Sequence, residues 1–126
     1  MQNLRMKFQD LLAYQKSFNL AMKIFHLSKS FPKEEVFSLT DQIRRSSRSV
    51  SANISEAYRK RLYPKHFISK LTDSDAENSE TQTWLEFSLQ CDYISIDTFN
   101  NLMDESNEVG KLINYMILNP EKFGSK

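Results

Sequence analysis

Polar side chains that could do chemistry are concentrated in two stretches of this 126-residue sequence. Arg45, Asn53 and Glu56 lie in the first stretch, and Glu77 lies in the second. Such a group would fit an active site, because catalytic centres often contain buried polar networks. None of the four residues is a nucleophile beside a base, however, and a structural layer inside the fold accounts for all of them. The sequence therefore predicts no catalytic residue and no enzymatic activity.

The residues that commonly bind metals or cofactors follow no recognised motif. Glu77 and Glu80 are spaced like ligands of carboxylate-bridged di-iron bundles, but those sites also require Glu-x-x-His on two helices. His26 and His66 occur in no such motif, and neither has a Ser or Cys partner in a recognisable order. With only two glycines, the chain has no glycine-rich phosphate loop. We therefore predict no metal site and no cofactor.

A set of basic residues is the feature that most suggests a function. Arg44 and Arg48 are one helical turn apart on an outward face, where they could neutralise phosphates. Tyr58 and Tyr63 could stack on unpaired bases. A solvated charged face explains the same residues, and no RNA-binding signature is present. The candidate nucleic-acid-binding residues are Arg44, Arg48, Arg59, Lys60, Arg61 and Lys65.

The composition favours one small helical domain. Two Gly and three Pro in 126 residues are few for a turn-rich β fold, so long helices are expected. No apolar run approaches the roughly 18 residues of a membrane span. The N-terminus has no apolar signal segment, and the single Cys91, which we expect to fill a gap at a helix end, cannot form an intrachain disulfide. These features indicate a cytoplasmic protein without a membrane partner.

Charge is distributed unevenly along the chain. Residues 1–70 hold 14 Lys or Arg and 5 Asp or Glu, a net charge of +9, whereas residues 71–126 hold 3 and 11, a net charge of −8. Such a division can mark an interaction surface. It can equally mean that the two halves attract each other in the folded chain, and the sequence leaves both explanations open.

Apolar spacing predicts four helices, at about residues 10–30, 34–58, 65–89 and 97–118, with a frayed tail at 119–126. Asp10, Pro64 and either Ser95 or Asp97 are suited to begin helices. Leu20 and Ile24 widen the apolar stripe of the first helix beyond one face. We therefore expect part of that helix to meet another subunit. Gly110 lies inside the last helix, where a close helix crossing would explain it.

The second predicted helix has an apolar stripe with a polar stripe beside it. The third has no large apolar side chain between Thr72 and Thr83. If the two helices pack antiparallel, Arg45 faces Glu77, and Arg45→Leu is expected to cost about 2–4 kcal/mol by leaving a carboxylate unpaired. The apolar stripe contains Leu39, Ile43, Ser46, Val50, Ile54 and Ala57. The predicted polar layer contains Gln42, Arg45, Ser49, Asn53, Glu56, Ser74 and Glu77.

Several short motifs together resemble one known family over nearly the whole chain. They are Phe8-x-Asp10-Leu11, Phe31-Pro32, Gln42-Ile43-Arg44-Arg45, Ser49-Val50, Asn53-Ile54-x-Glu56 and Ser74-x-x-Glu77-x-x-Glu80-x-Gln82. The pattern resembles that of the proteins encoded in 23S rRNA intervening sequences. This family includes the accessory variability determinant protein of bacterial diversity-generating retroelements. Ala57 stands where the family usually has Gly, and Ser46-Ser47 where it usually has two Ala.

The resemblance implies an all-α, antiparallel, up-and-down four-helix bundle that assembles as a homopentameric ring. In the retroelement member, a basic surface is thought to bind RNA or DNA. Two non-enzymatic functions follow as expectations for this chain. One is accessory nucleic-acid binding, and the other is a scaffold that binds another protein through the rim or channel of the ring.

Overall fold

The computed structural model describes residues 6–125, which form four long α-helices and contain no β-strand. This result confirms the all-helical prediction. The helices pack around a shared core, with α2 against α1 and α3, and α4 against α3 and α1. Short 3-10 helices at Phe8–Asp10, Lys33–Glu35 and Pro120–Phe123 flank them. The helices are α1 (Leu12–Ser28), α2 (Leu39–Arg59), α3 (Pro64–Gln90) and α4 (Ile96–Leu118).

The start of α2 is fixed by a carboxylate, and it lies at Leu39 rather than near residue 34. The Glu35 carboxylate accepts hydrogen bonds from the Leu39 backbone N–H at 3.2 Å and from the Ser38 hydroxyl at 2.6 Å. Its other oxygen accepts the Tyr93 hydroxyl at 2.8 Å. These bonds lower the pKa of Glu35 and raise the pKa of Tyr93 to about 12. Glu35 thus caps α2 and joins the loop after α1 to the loop after α3.

The other helix starts agree with the sequence except at α1. Pro64 occupies the first turn of α3, and the Ser95 hydroxyl accepts the Thr98 backbone N–H at 3.1 Å to cap α4. Asp10 does not cap α1, because its carboxylate instead accepts the Lys7 backbone N–H at 3.0 Å. It therefore closes the 3-10 turn that precedes α1, which begins at Leu12.

The C-terminal segment packs against the bundle, so the expectation of a frayed tail is wrong for residues 119–125. Residue 126 lies outside the described residues. Pro120–Phe123 is a 3-10 helix, and the Phe123 ring meets the Tyr115 ring edge-on at 6.1 Å. Gly124 follows with a φ of 86°, and the Arg61 side chain lies 3.2 Å from where a Cβ would be. This close approach places the segment against the turn between α2 and α3.

The core consists of two apolar clusters. All six residues of the predicted α2 stripe are buried, as the spacing indicated. Leu20 and Ile24 are also buried within this one chain, whereas Leu12, Phe18 and Met22 of the same helix are exposed, so the expectation that part of this helix meets another subunit stays a prediction. One cluster contains Leu11, Ala13, Val50, Ile54, Ala57, Tyr58, Phe67, Leu71, Val109, Ile113 and Met116. The other contains Leu20, Ile24, Phe31, Leu39, Ile43, Leu85, Ile94 and Leu102.

Small polar side chains occupy the middle of α2 and α3. Ser46 and Thr81 share a hydroxyl–hydroxyl bond of 2.8 Å, and Ser74 donates to the Val50 carbonyl at 2.8 Å. These bonds satisfy groups that would otherwise each cost about 1–3 kcal/mol to bury. With their partners on α1 and α4, they form the interior polar layer: Ser17, Ser46, Ser51, Ser74, Asn78, Thr81 and Ser106.

The predicted polar layer is largely wrong, because of its seven residues only Ser74 is buried. Ser49, Asn53 and Glu77 are half-buried, and the Asn53 amide donates to the Ser49 carbonyl of its own helix at 2.9 Å. The exposed members are Gln42, Arg45 and Glu56. The polar middles of the two helices do meet, but they do so through short side chains.

The register of α2 against α3 also differs from the predicted one. Ser46 meets Thr81, so the alignment is shifted by about one turn from the one that pairs Arg45 with Glu77. Arg45 forms no ion pair among residues 6–125. Partial burial and then the Glu80 and Asp73 carboxylates raise the pKa of Glu77, and the Arg45 charge only partly opposes them.

Contacts with α4 bear on Gly110 and on the uneven charge distribution of the chain. A Cβ on Gly110 would lie 3.4 Å from the Asn78 amide nitrogen, an ordinary van der Waals distance, so the contact between α3 and α4 does not require a glycine at this position. Lys16 pairs with Glu108 at 3.2 Å, and Lys23 pairs with Glu105 at 2.6 Å. These ion pairs join the basic first half of the chain to the acidic second half.

Candidate nucleic-acid interface

Three cations surround one aromatic ring on the face formed by α1 and α2. The Lys29 ammonium lies 4.8 Å from the centre of the half-buried Phe25 ring, the Arg44 guanidinium 4.9 Å and the Arg48 guanidinium 5.6 Å. We call Phe25, Lys29, Arg44 and Arg48 the Phe25 cluster. Each distance is within the roughly 6 Å at which a cation is attracted to a ring face. The ring therefore gathers three positive charges at one place.

The two helices hold the Phe25 cluster in a defined geometry. The Arg44 guanidinium donates to the Ser28 hydroxyl at 2.7 Å, and Ser28 donates to the Phe25 carbonyl at 3.0 Å. Arg44 is consequently half-buried, whereas Lys29 and Arg48 are exposed. Within residues 6–125, none of the three cations forms an ion pair with a carboxylate. Their charge is therefore available to an external anion.

The other predicted basic residues form a separate group at the turn between α2 and α3. Arg59, Lys60 and Lys65 are exposed there. Along α2, Arg44 and Arg59 are about 22 Å apart at 1.5 Å per residue. Arg48 and Arg59 lie within about 20° of each other around the helix, so these two side chains leave α2 on a similar side. The predicted single basic set is thus two groups, and Arg59 of the second group shares a side of α2 with Arg48.

Arg61 is tied to its own turn, and this changes the expected role of one tyrosine. Its guanidinium donates to the Tyr58 carbonyl at 2.7 Å and lies 4.0 Å from the Tyr58 ring centre. Tyr58 is 6% exposed, so it is not available to stack on a base. Tyr63 is 64% exposed and meets the His66 ring edge-on at 6.0 Å.

An apolar groove adjoins the Phe25 cluster on the same face. It has a volume of about 350 Å³ and lies between α1 and α2. We call it the α1–α2 groove. Its lining residues are Phe8, Tyr14, Phe18, Ala21, Met22, Arg48, Ser51, Ala52 and Ser55. Sequence analysis missed this groove and Lys29, although the spacing of Tyr14, Phe18 and Phe25 along one side of α1 was a usable signal.

The remaining candidate ligand residues do not gather into a metal centre in the part of the chain that the structure describes. No three His, Cys, Asp or Glu residues among those described are placed to hold a metal ion. His26 and His66 are exposed. Cys91 is also exposed at the end of α3, so the expectation that it fills a gap is wrong. None of the described helices is long and apolar enough to cross a membrane.

The fold defines the class of protein as a small four-helix bundle. Residues 9–115 match the model of the 23S rRNA-intervening sequence protein family. This chain belongs to that family, as its sequence motifs indicated. No curated protein matches the sequence.

A solved structure supports the same assignment. The chain is similar to a protein of unknown function from the S23 ribosomal protein family of Bacteroides thetaiotaomicron. The two sequences are 33% identical, and the alignment covers 86% of this chain and 97% of the other. Their TM-score is 0.77, which shows that the helices are arranged alike.

Proposed function

We propose that this protein binds RNA or DNA without catalysing a reaction, and that it does so through the Phe25 cluster and the cations of the α2–α3 turn. The observation that carries this proposal is the convergence of Lys29, Arg44 and Arg48 on one ring, with no carboxylate partner among the described residues. Cation–π attraction leaves the formal charge in place. Phosphates of a nucleic acid would supply the missing negative charge and release bound counterions.

The arrangement of the two basic groups supports binding of an extended polyanion. Their separation of about 22 Å along α2 is longer than one phosphate contact and spans several nucleotides of a strand. Arg59, Lys60 and Lys65 then serve as a second contact beyond the Phe25 cluster. Arg61 contributes less, because its guanidinium is already engaged with Tyr58.

Assembly would multiply this surface. Ser46–Thr81, Ser74–Val50 and Lys70–Glu56 contacts pair rising numbers on α2 with falling numbers on α3, which supports an antiparallel up-and-down bundle. The family resemblance supports a homopentameric ring. In such a ring, weak sites act together through multivalency.

The test is fluorescence anisotropy with labelled RNA at about 50 mM and about 200 mM salt. Lys29→Glu and Arg48→Glu together should weaken binding at least about tenfold and flatten the salt dependence. Lys111→Glu on α4 is the matched control, because Lys111 is exposed and lies on another face. Wild-type protein that retains no RNA or DNA at low salt contradicts the proposal. Light scattering with absorbance at 260 nm reports subunit count and bound nucleic acid together.

A protein-binding scaffold is the second candidate function. The observation that favours it is Phe37, which is 92% exposed just before α2, beside the 48% exposed Val36. An aromatic ring in this position is typical of interface residues. A scaffold predicts a co-purifying polypeptide that is lost in Phe37→Ser and unaffected by Lys29→Glu and Arg48→Glu.

A further inference from the structure

The α1–α2 groove presents aromatic rings in a row. The Phe8 and Tyr14 rings are 5.1 Å apart and the Tyr14 and Phe18 rings 5.9 Å apart, measured between centres. Phe18 is 46% exposed and Met22 is 41% exposed, so the apolar surface is open to a ligand. The exposed Phe18 ring therefore offers a flat surface on which a planar group could stack.

The same side of α1 leads from these rings to the Phe25 cluster. Tyr14, Phe18 and Phe25 are spaced by four and seven residues, which places them within about 40° of one another around the helix. From Tyr14 to Phe25 the helix rises about 16 Å. A stacked nucleic-acid strand advances about 3.4 Å per nucleotide, so this length accommodates about five nucleotides.

Arg48 belongs to both features. It lines the α1–α2 groove, and its guanidinium lies 5.6 Å from the Phe25 ring centre. The aromatic surface and the three cations of the Phe25 cluster therefore form one continuous site. Proteins that bind single strands combine these two elements, because bases stack on aromatic rings while the backbone follows positive charge.

We infer that the nucleic acid bound here is single-stranded, with an unpaired base seated in the α1–α2 groove against Phe18 and the neighbouring phosphates on Lys29, Arg44 and Arg48. This inference rests on the proposed function and makes it more specific. A duplex keeps its bases stacked inside the helix, so it can reach the cations but not the groove. Charge favours this occupant over an ordinary protein segment, because three cations that have no carboxylate partner among residues 6–125 attract a ligand with several negative charges.

The test compares a labelled single strand of about 12 nucleotides with a duplex of the same length at one salt concentration. Phe18→Leu keeps an apolar side chain but removes the aromatic face. We expect it to weaken single-strand binding about five- to tenfold and to leave duplex binding unchanged. Phe18→Trp should restore single-strand binding. Phe87→Leu is the matched control, because Phe87 is 53% exposed on α3, outside the groove.

A second measurement reports the base directly. A strand that carries 2-aminopurine should lose fluorescence when it binds the wild-type protein, because the base stacks on a ring, and should lose less with Phe18→Leu. Equal affinity for single strand and duplex, with no effect of Phe18→Leu, overturns the inference and leaves the proposed function standing. Absence of any nucleic-acid binding defeats the proposed function itself. A changed molecular mass of Phe18→Leu in light scattering also overturns the inference, because the groove would then be an interface between copies of the chain.

Discussion

Two polar regions run along α2 and α3, one inside the bundle and one on its surface. The interior polar layer contains hydroxyls and one amide and no charged side chain, whereas four of the six side chains in the outer seam are charged: Arg45, Ser49, Asn53, Glu56, Lys70 and Glu77. Thr81 shows why short side chains can be buried. Its hydroxyl donates to the Glu77 carbonyl at 2.9 Å in its own helix and also bonds Ser46. A guanidinium has five donors and a positive charge, so the free energy lost on burying it exceeds what a single hydrogen-bond partner contributes.

The largest expected effect lies in the interior polar layer at Asn78. Its amide donates to the Ser106 carbonyl at 2.9 Å and accepts the Ser106 hydroxyl at 2.9 Å. Asn78→Ala removes both bonds and leaves buried groups unpaired, so it should lower the free energy of unfolding by about 2–3 kcal/mol. Urea denaturation measures this. The exposed neighbour Ser79→Ala is the control, and equal stability of the two variants would mean that the layer does not stabilise the fold.

A smaller effect is expected at the Ser46–Thr81 pair. Ser46→Ala and Thr81→Val should each cost about 1 kcal/mol, since each leaves one hydroxyl without its cross-helix partner. The double variant should cost less than the sum of the two, because no unpaired group remains. A double-mutant cycle by urea denaturation gives the coupling. Strict additivity would show that the 2.8 Å contact contributes nothing.

On the outer seam, Glu77→Gln should slightly stabilise the protein at neutral pH. The pKa of Glu77 is raised in the fold, chiefly by partial burial and then by Glu80 and Asp73, so its ionised form destabilises the folded state. This cost is present above the raised pKa and disappears as the pH falls below the unfolded-state value. Thermal unfolding should therefore show a melting temperature of Glu77→Gln above that of wild type at neutral pH, and this difference should decrease as the pH is lowered. The exposed Glu86→Gln on the same helix serves as control, and a gain independent of pH would contradict the explanation.

The smallest effect is expected for Arg45→Leu. The sequence alone predicted a loss of about 2–4 kcal/mol, on the assumption that Arg45 is buried against Glu77. Because the side chain is exposed, we now expect a change within about 0.5 kcal/mol. Urea denaturation beside wild type measures it. A loss as large as that of Asn78→Ala would place Arg45 back in an interior ion pair.

Helices and their apolar faces could be predicted from the sequence because apolar periodicity indicates them directly. The α2 stripe was predicted in this way, and the Ser95 cap was predicted from its residue type at the start of α4. The flank chosen for the polar layer was wrong because periodicity alone does not say on which side of an apolar stripe burial continues. Thr40, Ser47 and Ser51 on the other flank are buried, and their smaller size was the available clue.

The candidate site was partly predictable for a similar reason. Arg44 and Arg48 were found from their spacing within one helix. Lys29 was missed because it joins them only when α1 packs beside α2, which spacing within a single element does not report. The Arg61 contact that covers Tyr58 was likewise invisible, since it depends on how the chain turns after α2.

The bond between Glu35 and Tyr93 makes the two ends of the bundle unequal. It fastens two loops that are distant in sequence at the end where α2 begins. Amide hydrogens near Leu39 should therefore exchange with deuterium more slowly than those around Leu62, which is 77% exposed at the opposite end.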